Sequence, residues 1–207
     1  NPWDLATDVG PVIDQTARAA IDDHIAMAQS EGRLMHQLDR PKHGNFVAPT
    51  LIQVDSITDI KQEIFGPVLQ LATFRAQDLD QVITDINTTG YGLTFGLHTR
   101  IDDRVQHVSD RIDAGNIYVN RNQIGAIVGS QPFGGLGLSG TGPKAGGPDY
   151  LTRMRASTPA PATIAAGWNK SAKLPDSPTS LQRMQGRVAL PGPTGEDNRL
   201  SLLGRGP

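Results

Sequence analysis

The chain of 207 residues contains no cysteine. Disulfides, thiolate metal sites and a cysteine nucleophile are therefore excluded from this stretch of polypeptide. An excess charge of either sign is missing too: Lys+Arg number 19 against Asp+Glu 21, a net charge of −2. Without a basic field, nucleic acid and anionic membrane surfaces have nothing to draw them in. No apolar run approaches the roughly 18 residues that a bilayer crossing requires. The opening Asn1-Pro2-Trp3-Asp4 lacks the basic-then-apolar order of a secretory leader, so the expectation is a soluble, cytoplasmic protein. An initial methionine is absent as well, and the first residues read as text from within a domain, as in a piece of something longer.

What the chain has in quantity is Gly (23) and Pro (15), a loop-rich balance in a molecule of 22.1 kDa. That size suits one fair-sized domain, or one domain with a long tail. From Pro11 to Ser30 the apolar residues Val12, Ile13, Ala17, Ala20, Ile21, Ile25 and Ala28 recur with helical period, and Gly32 supplies a stop. Phe46 to Val54 reads as extended with a bend at Pro49, and Ser56 to Gln62 as a turn.

An alternation follows: strand over 68–74, helix over 78–88, strand over 93–99, helix over 101–112, strand over 115–119. Such alternation predicts an α/β fold with a parallel sheet and crossover helices. Gln77 or Asp78 is expected to cap the first helix and Thr99 or Asp102 the second. Gly90 and Gly115 fall where left-handed residues end a helix. Nine glycines between Gly125 and Gly147 mark a loop whose backbone is the working surface. Tyr150 to Met154 suits a short strand. From Ala156 onward the text turns to Ala, Pro, Ser and Thr, a linker composition, before Arg187 to Leu203 regains order around Leu190-Pro191-Gly192-Pro193.

Gly135-Leu136-Gly137-Leu138-Ser139-Gly140 spells a dinucleotide-binding fingerprint, yet Gln131-Pro132 precedes it and Thr141-Gly142-Pro143 follows. Neither the strand before nor the helix after can form, so the phosphate-cradling geometry is excluded. His24, His36, His43, His98 and His107 show no metal-ligand spacing, and no metal is expected. No G-x-S-x-G elbow exists, and the Ser139 hydroxyl is expected to tie the glycine loop to itself. Glu63-Ile64-Phe65-Gly66-Pro67-Val68 is more suggestive. A carboxylate there could accept both hydroxyl protons of a ribose diol and Phe65 could lie against a flat ring, although a surface Glu and a core Phe are the simpler reading.

Five segments taken together resemble the C-terminal half of an aldehyde dehydrogenase in order and spacing. They are Thr7-Asp8-Val9-Gly10-Pro11-Val12-Ile13-Asp14, Glu63-Ile64-Phe65-Gly66-Pro67-Val68-Leu69, Tyr91-Gly92-Leu93-Thr94-Phe95-Gly96-Leu97-His98-Thr99, Gly115-Asn116-Ile117-Tyr118-Val119-Asn120 and Gln131-Pro132-Phe133-Gly134-Gly135. Ile124 to Phe133, Ser139-Gly140-Thr141, Lys144 to Pro148 and Tyr150-Leu151 resemble the glutamate-semialdehyde (pyrroline-5-carboxylate) dehydrogenase branch. More narrowly, they resemble the dehydrogenase module of the bacterial proline utilization A family.

The resemblance implies a partial three-layer, parallel-sheet catalytic domain over 1–149, an oligomerisation flap strand over 150–155, and a Pro/Ala-rich linker over 156–186. Residues 187–207 would open a C-terminal aldehyde-dehydrogenase-like domain. It further implies that Glu63 takes the nicotinamide-side ribose of NAD, with Phe65 near the nicotinamide. Gly125 and Ala126 would hold the substrate's α-carboxylate on backbone amides, and Phe133 would bracket its aliphatic chain. Tyr150–Met154 would pair with another subunit in a homo-oligomer.

Catalytic residues are not expected within this chain. The family's Cys nucleophile and general-base Glu, with the dinucleotide-binding domain, belong upstream on the remainder of the same polypeptide, so the segment alone would be inactive. FAD would belong only to an upstream proline dehydrogenase domain, in a parent that is cytoplasmic or peripheral at the inner membrane. The rival reading is a non-catalytic aldehyde-dehydrogenase-like assembly module.

Overall fold

The computed structural model describes residues 4–127, 130–140, 142–147, 150–154, 185–190 and 197–203. It divides into two compact units, residues 1–89 and 90–207.

The first unit is built on α1 (Gln15–Ser30), whose N-terminus is capped by the Asp14 carboxylate accepting from the Ala17 amide at 2.7 Å. Its stop is as the sequence predicts: Gly32 takes φ +72° just beyond the last turn. The stripe Ile21, Ile25 and Ala28 is buried against Val47, Ile52 and Val54, with Val12, Leu34, Ile64 and Val68 packed around them. Burying an Ile side chain in such a cluster contributes roughly 1.5–3 kcal/mol.

Three strands carry the other side of that core: β1 (Leu34–Gln37), β2 (Thr50–Gln53) and β3 (Val68–Leu71). β1 runs antiparallel to β2, and β2 parallel to β3 with Thr50 opposite Val68. β1 has no counterpart in the sequence reading, because Leu34-Met35-His36-Gln37 shows no clean alternation. β2 begins directly after Pro49, which has no N–H to give a ladder.

His24 on α1 leaves its Nε2 buried with no partner among the described residues. Burial first, and the Arg33 charge second, lower its pKa from the ordinary 6.5, against a smaller opposing pull from Glu31. The unfolded chain binds this proton more readily than the native one. Native stability is therefore expected to fall as pH drops from about 6.5 through the lowered native pKa, and to level off below it. In thermal melts across pH 4 to 8, His24→Gln should flatten that slope. An unchanged slope would place the acid sensitivity elsewhere.

α2 (Leu79–Thr88) closes the first unit, and the second holds β4 (Tyr91–Gly92), β5 (Thr94–Leu97), α3 (Asp102–Ser109), β6 (Asn116–Val119) and β7 (Leu136–Gly137). β5 and β6 are parallel, Thr94 opposite Asn116, with α3 as their crossover. β4 pairs antiparallel with β7. The alternating elements are as the sequence predicts, with a parallel pair in each unit: β3 pairs with β2 in the first, and β5 with β6 in the second. Local pattern sets the type of element, whereas its ladder partner is a non-local matter.

Several local expectations are corrected. Asp78 is the α2 cap residue yet makes no side-chain cap, and its carboxylate lies 3.4 Å from Arg75 instead. Thr99 accepts from the Ile101 amide at 3.2 Å but stands two residues before the cap position, Ile101, and Asp102 lies inside the first turn. Gly90 is left-handed at φ +76°, but Gly115 is not. A Cβ on Gly115 would fall 1.9 Å from the Gly134 carbonyl oxygen, so this glycine serves close backbone packing. Residues Leu151–Met154 form one 3-10 turn in place of the expected strand. A strand needs an edge to pair with, and no described segment of the chain offers one here.

The tail forms a hairpin of β8 (Gln185–Leu190) and β9 (Asn198–Leu203), with Val188 opposite Leu200. Of the linker expected over 156–186, residues 156–184 lie outside the described residues, as does the turn after Leu190, while Gln185 and Gly186 already belong to β8. No helix among the described residues is long and apolar enough to cross a membrane.

Candidate functional site

In the first unit, the approach to Glu63 is set by a short 3-10 helix, Ile57–Asp59, with Ser56 as its cap. The Asp59 carboxylate accepts from the amides of Asp55 (2.8 Å) and Ser56 (3.2 Å), and those bonds hold its pKa below the usual carboxylate value. The chain then runs through Ile64, which packs onto the α1 core. On either side of this anchor, Glu63 and Phe65 are exposed, and Phe65 retains 85% of its surface.

The simpler reading of Phe65 as a core residue is thereby excluded. Glu63 makes no hydrogen bond or ion pair with any described residue. A free carboxylate and an exposed ring, spaced by one anchored residue, can meet a ligand that has both hydroxyls and a flat ring. Beside the Gly66-Pro67 turn lies an open, mainly apolar cleft of about 430 Å³, lined in part by His36, Val68 and Leu69.

In the second unit the site grows from the C-terminal ends of β5 and β6, the edge at which parallel sheets present ligand-binding loops. Asn120, the residue after β6, is left-handed at φ +56°. Its side-chain amide is tied both ways to Thr99, accepting from the Thr99 N–H at 2.9 Å and donating to the Thr99 carbonyl at 3.0 Å. This clip ties the chain leaving β6 to the chain leaving β5. Arg121 then lies over the Tyr118 ring, 5.1 Å from its centroid.

The loop that follows carries Gly125 and Ala126. Its far end is closed by a turn in which Gln131 donates its N–H to the Ile127 carbonyl (3.0 Å) and its side-chain oxygen accepts from the Ile127 amide (3.1 Å). Between these anchors the N–H groups of Gly125 and Ala126 donate to no described residue. A Cβ built on Gly125 meets nothing within 4 Å. Two adjacent amides with no bulky side chain beside them suit an anion.

Phe133 follows, half-buried, with its backbone paired to Ala145: N–H to carbonyl at 3.0 Å and the reverse at 2.9 Å. Asn116, buried on β6, grips both neighbouring peptides. Its Nδ2 donates to the Pro132 carbonyl at 3.0 Å and its Oδ1 accepts from the Gly134 amide at 3.3 Å. Lys144 reaches the same place, donating to Asn116 Oδ1 at 3.3 Å and to the Gly115 carbonyl. Burial lowers the Lys144 pKa from its ordinary value, and no described carboxylate stands within ion-pair distance of it.

Nearby, Ser139 Oγ accepts from the Gly92 amide at 3.1 Å, so it ties the glycine loop to β4 and not, as the sequence predicts, to itself. The fingerprint-like Gly135–Gly140 run holds β7 and a tight turn, and among the described residues no helix opens from it. No cluster of three or more His, Asp or Glu suited to a metal occurs among the described residues.

Glu63 and Phe65 thus lie together in one unit, and Gly125, Ala126 and Phe133 lie within one another's loop system in the other. The sequence reading misses Asn116, Asn120 and Lys144 as organising residues. A signal was available for two of them: a single lysine in a long glycine loop, and an asparagine directly after a strand.

A sequence profile of the aldehyde dehydrogenase family matches residues 1–158. "Bifunctional protein PutA" of Rhizobium meliloti is 43% identical over 225 residues, covering 99% of this chain and 18% of the relative. The crystal structure of a point mutant of Bradyrhizobium japonicum proline utilization A superposes with a TM-score of 0.69 at 53% identity, over 72% of this chain and 15% of that one. A Thermus 1-pyrroline-5-carboxylate dehydrogenase with bound NAD gives a TM-score of 0.61 at 36% identity, over 69% of this chain and 28% of that one. The chain therefore spans less than a third of the length of each of these proteins.

Proposed function

The chain belongs to the aldehyde dehydrogenase family, and on that footing we propose that it is part of an NAD-dependent L-glutamate γ-semialdehyde (1-pyrroline-5-carboxylate) dehydrogenase acting in proline catabolism. The likeness to PutA and to 1-pyrroline-5-carboxylate dehydrogenase supports this substrate. The observation that carries it is the Gly125–Ala126 loop: two unengaged amides, at the C-terminal ends of parallel strands, with open space where a side chain would stand.

In this reading Gly125 and Ala126 receive the α-carboxylate, which fixes one end of the substrate. Phe133 lies along the three-carbon chain and excludes water from it. Glu63 accepts the hydroxyl protons of the nicotinamide-side ribose, and Phe65 lies beside the nicotinamide ring. The exposed, unpaired carboxylate of Glu63 and the 85% exposure of Phe65 fit that cofactor. When bound, NAD accepts a hydride from the aldehyde carbon. A Cys nucleophile and a Glu general base come from outside these residues, as do the dinucleotide-binding domain and, in a bifunctional parent, an FAD-dependent proline dehydrogenase. The parent is cytoplasmic and a homo-oligomer in which Tyr150–Met154 meets another subunit.

Steady-state assay of the full-length enzyme with glutamate semialdehyde and NAD tests this directly. One NADH formed per semialdehyde consumed is expected, and no semialdehyde-dependent reduction of NAD would overturn it.

A further inference from the structure

Phe133 stands in a loop, yet its main chain is held as firmly as a strand. From the Pro132 carbonyl to the Gly134 amide, each of the four consecutive backbone polar groups is taken. Asn116 Nδ2 bonds the first, Ala145 the Phe133 N–H and C=O, and Asn116 Oδ1 the last. Asn116 is itself fixed, because it lies on β6, is buried, and shares its Oδ1 with the Lys144 ammonium.

Lys144 adds a second tie, to the carbonyl of Gly115 immediately before β6. Its neighbour Ala145 is the residue that pairs with Phe133. Gly134 lets the two segments close up, since a Cβ there would fall 3.1 Å from the Lys144 Cα. A lysine with no carboxylate partner among the described residues is a poor choice for stability alone, because burial penalises its charge. Its donors are spent instead on one backbone carbonyl and one amide oxygen that both belong to the support of Phe133.

The geometry points to Asn116 and Lys144 as positioning residues for the substrate-binding site: together they fix where the Phe133 ring stands against the aliphatic chain of the aldehyde. The inference rests on the reading of Phe133 as the wall of that site. Neither residue touches substrate in this account. Each acts through the 132–134 peptide, and a loop held this way can keep a side chain within the fraction of an ångström that binding demands.

The test is a cycle of substitutions in the full-length enzyme. Lys144→Met keeps the length and the packing of the side chain but removes the donors. It is expected to raise KM for glutamate semialdehyde about tenfold, with kcat changed less than about threefold and KM for NAD unchanged. Asn116→Leu should do the same. Phe133→Ala should raise the same KM, and in that background Lys144→Met should add nothing, because the ring it positions is gone.

If Lys144→Met does not give folded enzyme, Lys144→Leu, which also removes the donors, carries the same cycle. A rise in KM that persists undiminished in the Phe133→Ala background would overturn the positioning role, as would a Lys144→Met enzyme with wild-type KM beside an impaired Phe133→Ala. If Phe133→Ala itself leaves KM unchanged, the reading of Phe133 fails, and this inference falls with it.

Discussion

Gly125→Val in the full-length enzyme is expected to raise KM for glutamate semialdehyde by about two orders of magnitude. Two charge-assisted hydrogen bonds at about 1.5–3 kcal/mol each are at stake, and a branched side chain would cover both amides. The magnitude can be read cleanly because the site is open. A Cβ at 125 meets nothing within 4 Å, and the backbone is not left-handed there, so the substitution adds no clash and no strain. The melting temperature should stay within a degree or two of the parent. KM for NAD should not move, since the ribose contacts lie on other residues. Weaker NAD binding with an unchanged substrate KM would remove the anchor role from Gly125 and Ala126.

Glu63→Ala should act on the other ligand. A carboxylate accepting two ribose hydroxyls contributes two charge-assisted bonds, and their loss should raise KM for NAD by roughly a hundredfold while KM for the semialdehyde holds. Folding should again be spared, because Glu63 is exposed and bonds to no described residue, whereas its neighbour Ile64 is the one packed on the core. Glu63→Gln should recover part of the loss, since a neutral oxygen still accepts. An Ala variant with unaltered NAD dependence would leave Glu63 a surface carboxylate and nothing more.

The legibility of the fold in the sequence differs with the distance over which each feature is determined. The helix at Gln15–Ser30 was readable because its apolar stripe and its Gly32 stop lie within one short window, whereas its Asp14 cap emerges only in the structure. The parallel pairing of β5 with β6 was readable because only a short helix separates them. The partner of β3 was not, since β2 lies on its N-terminal side and no local pattern names a ladder partner. Gly115 shows the same limit: its position after a helix suggested a left-handed turn, but the reason for glycine is a carbonyl 19 residues further along, at Gly134.

At the candidate site, residue types carried part of the reading and context the rest. Glu63 and Phe65 could be singled out by chemistry, but composition favours a core phenylalanine, whereas in the structure it is Ile64 between them that packs on the core and Phe65 that is exposed. Asn116 reads in sequence as one letter of a strand. Its importance comes from a peptide 16 residues away that its side chain happens to bridge.

The claim at the centre of this account is that the Gly125–Ala126 amides recognise the α-carboxylate of the substrate. The most direct measurement is the ratio of kcat/KM for glutamate semialdehyde to that for pentanal, which has the same carbon chain without the carboxylate or the amine, in the wild-type enzyme and in Gly125→Val. The account predicts a wild-type ratio of about a hundred or more, collapsing toward one in the variant through loss on the semialdehyde alone. An equal loss on both aldehydes, or a ratio that Gly125→Val leaves unchanged, would contradict it.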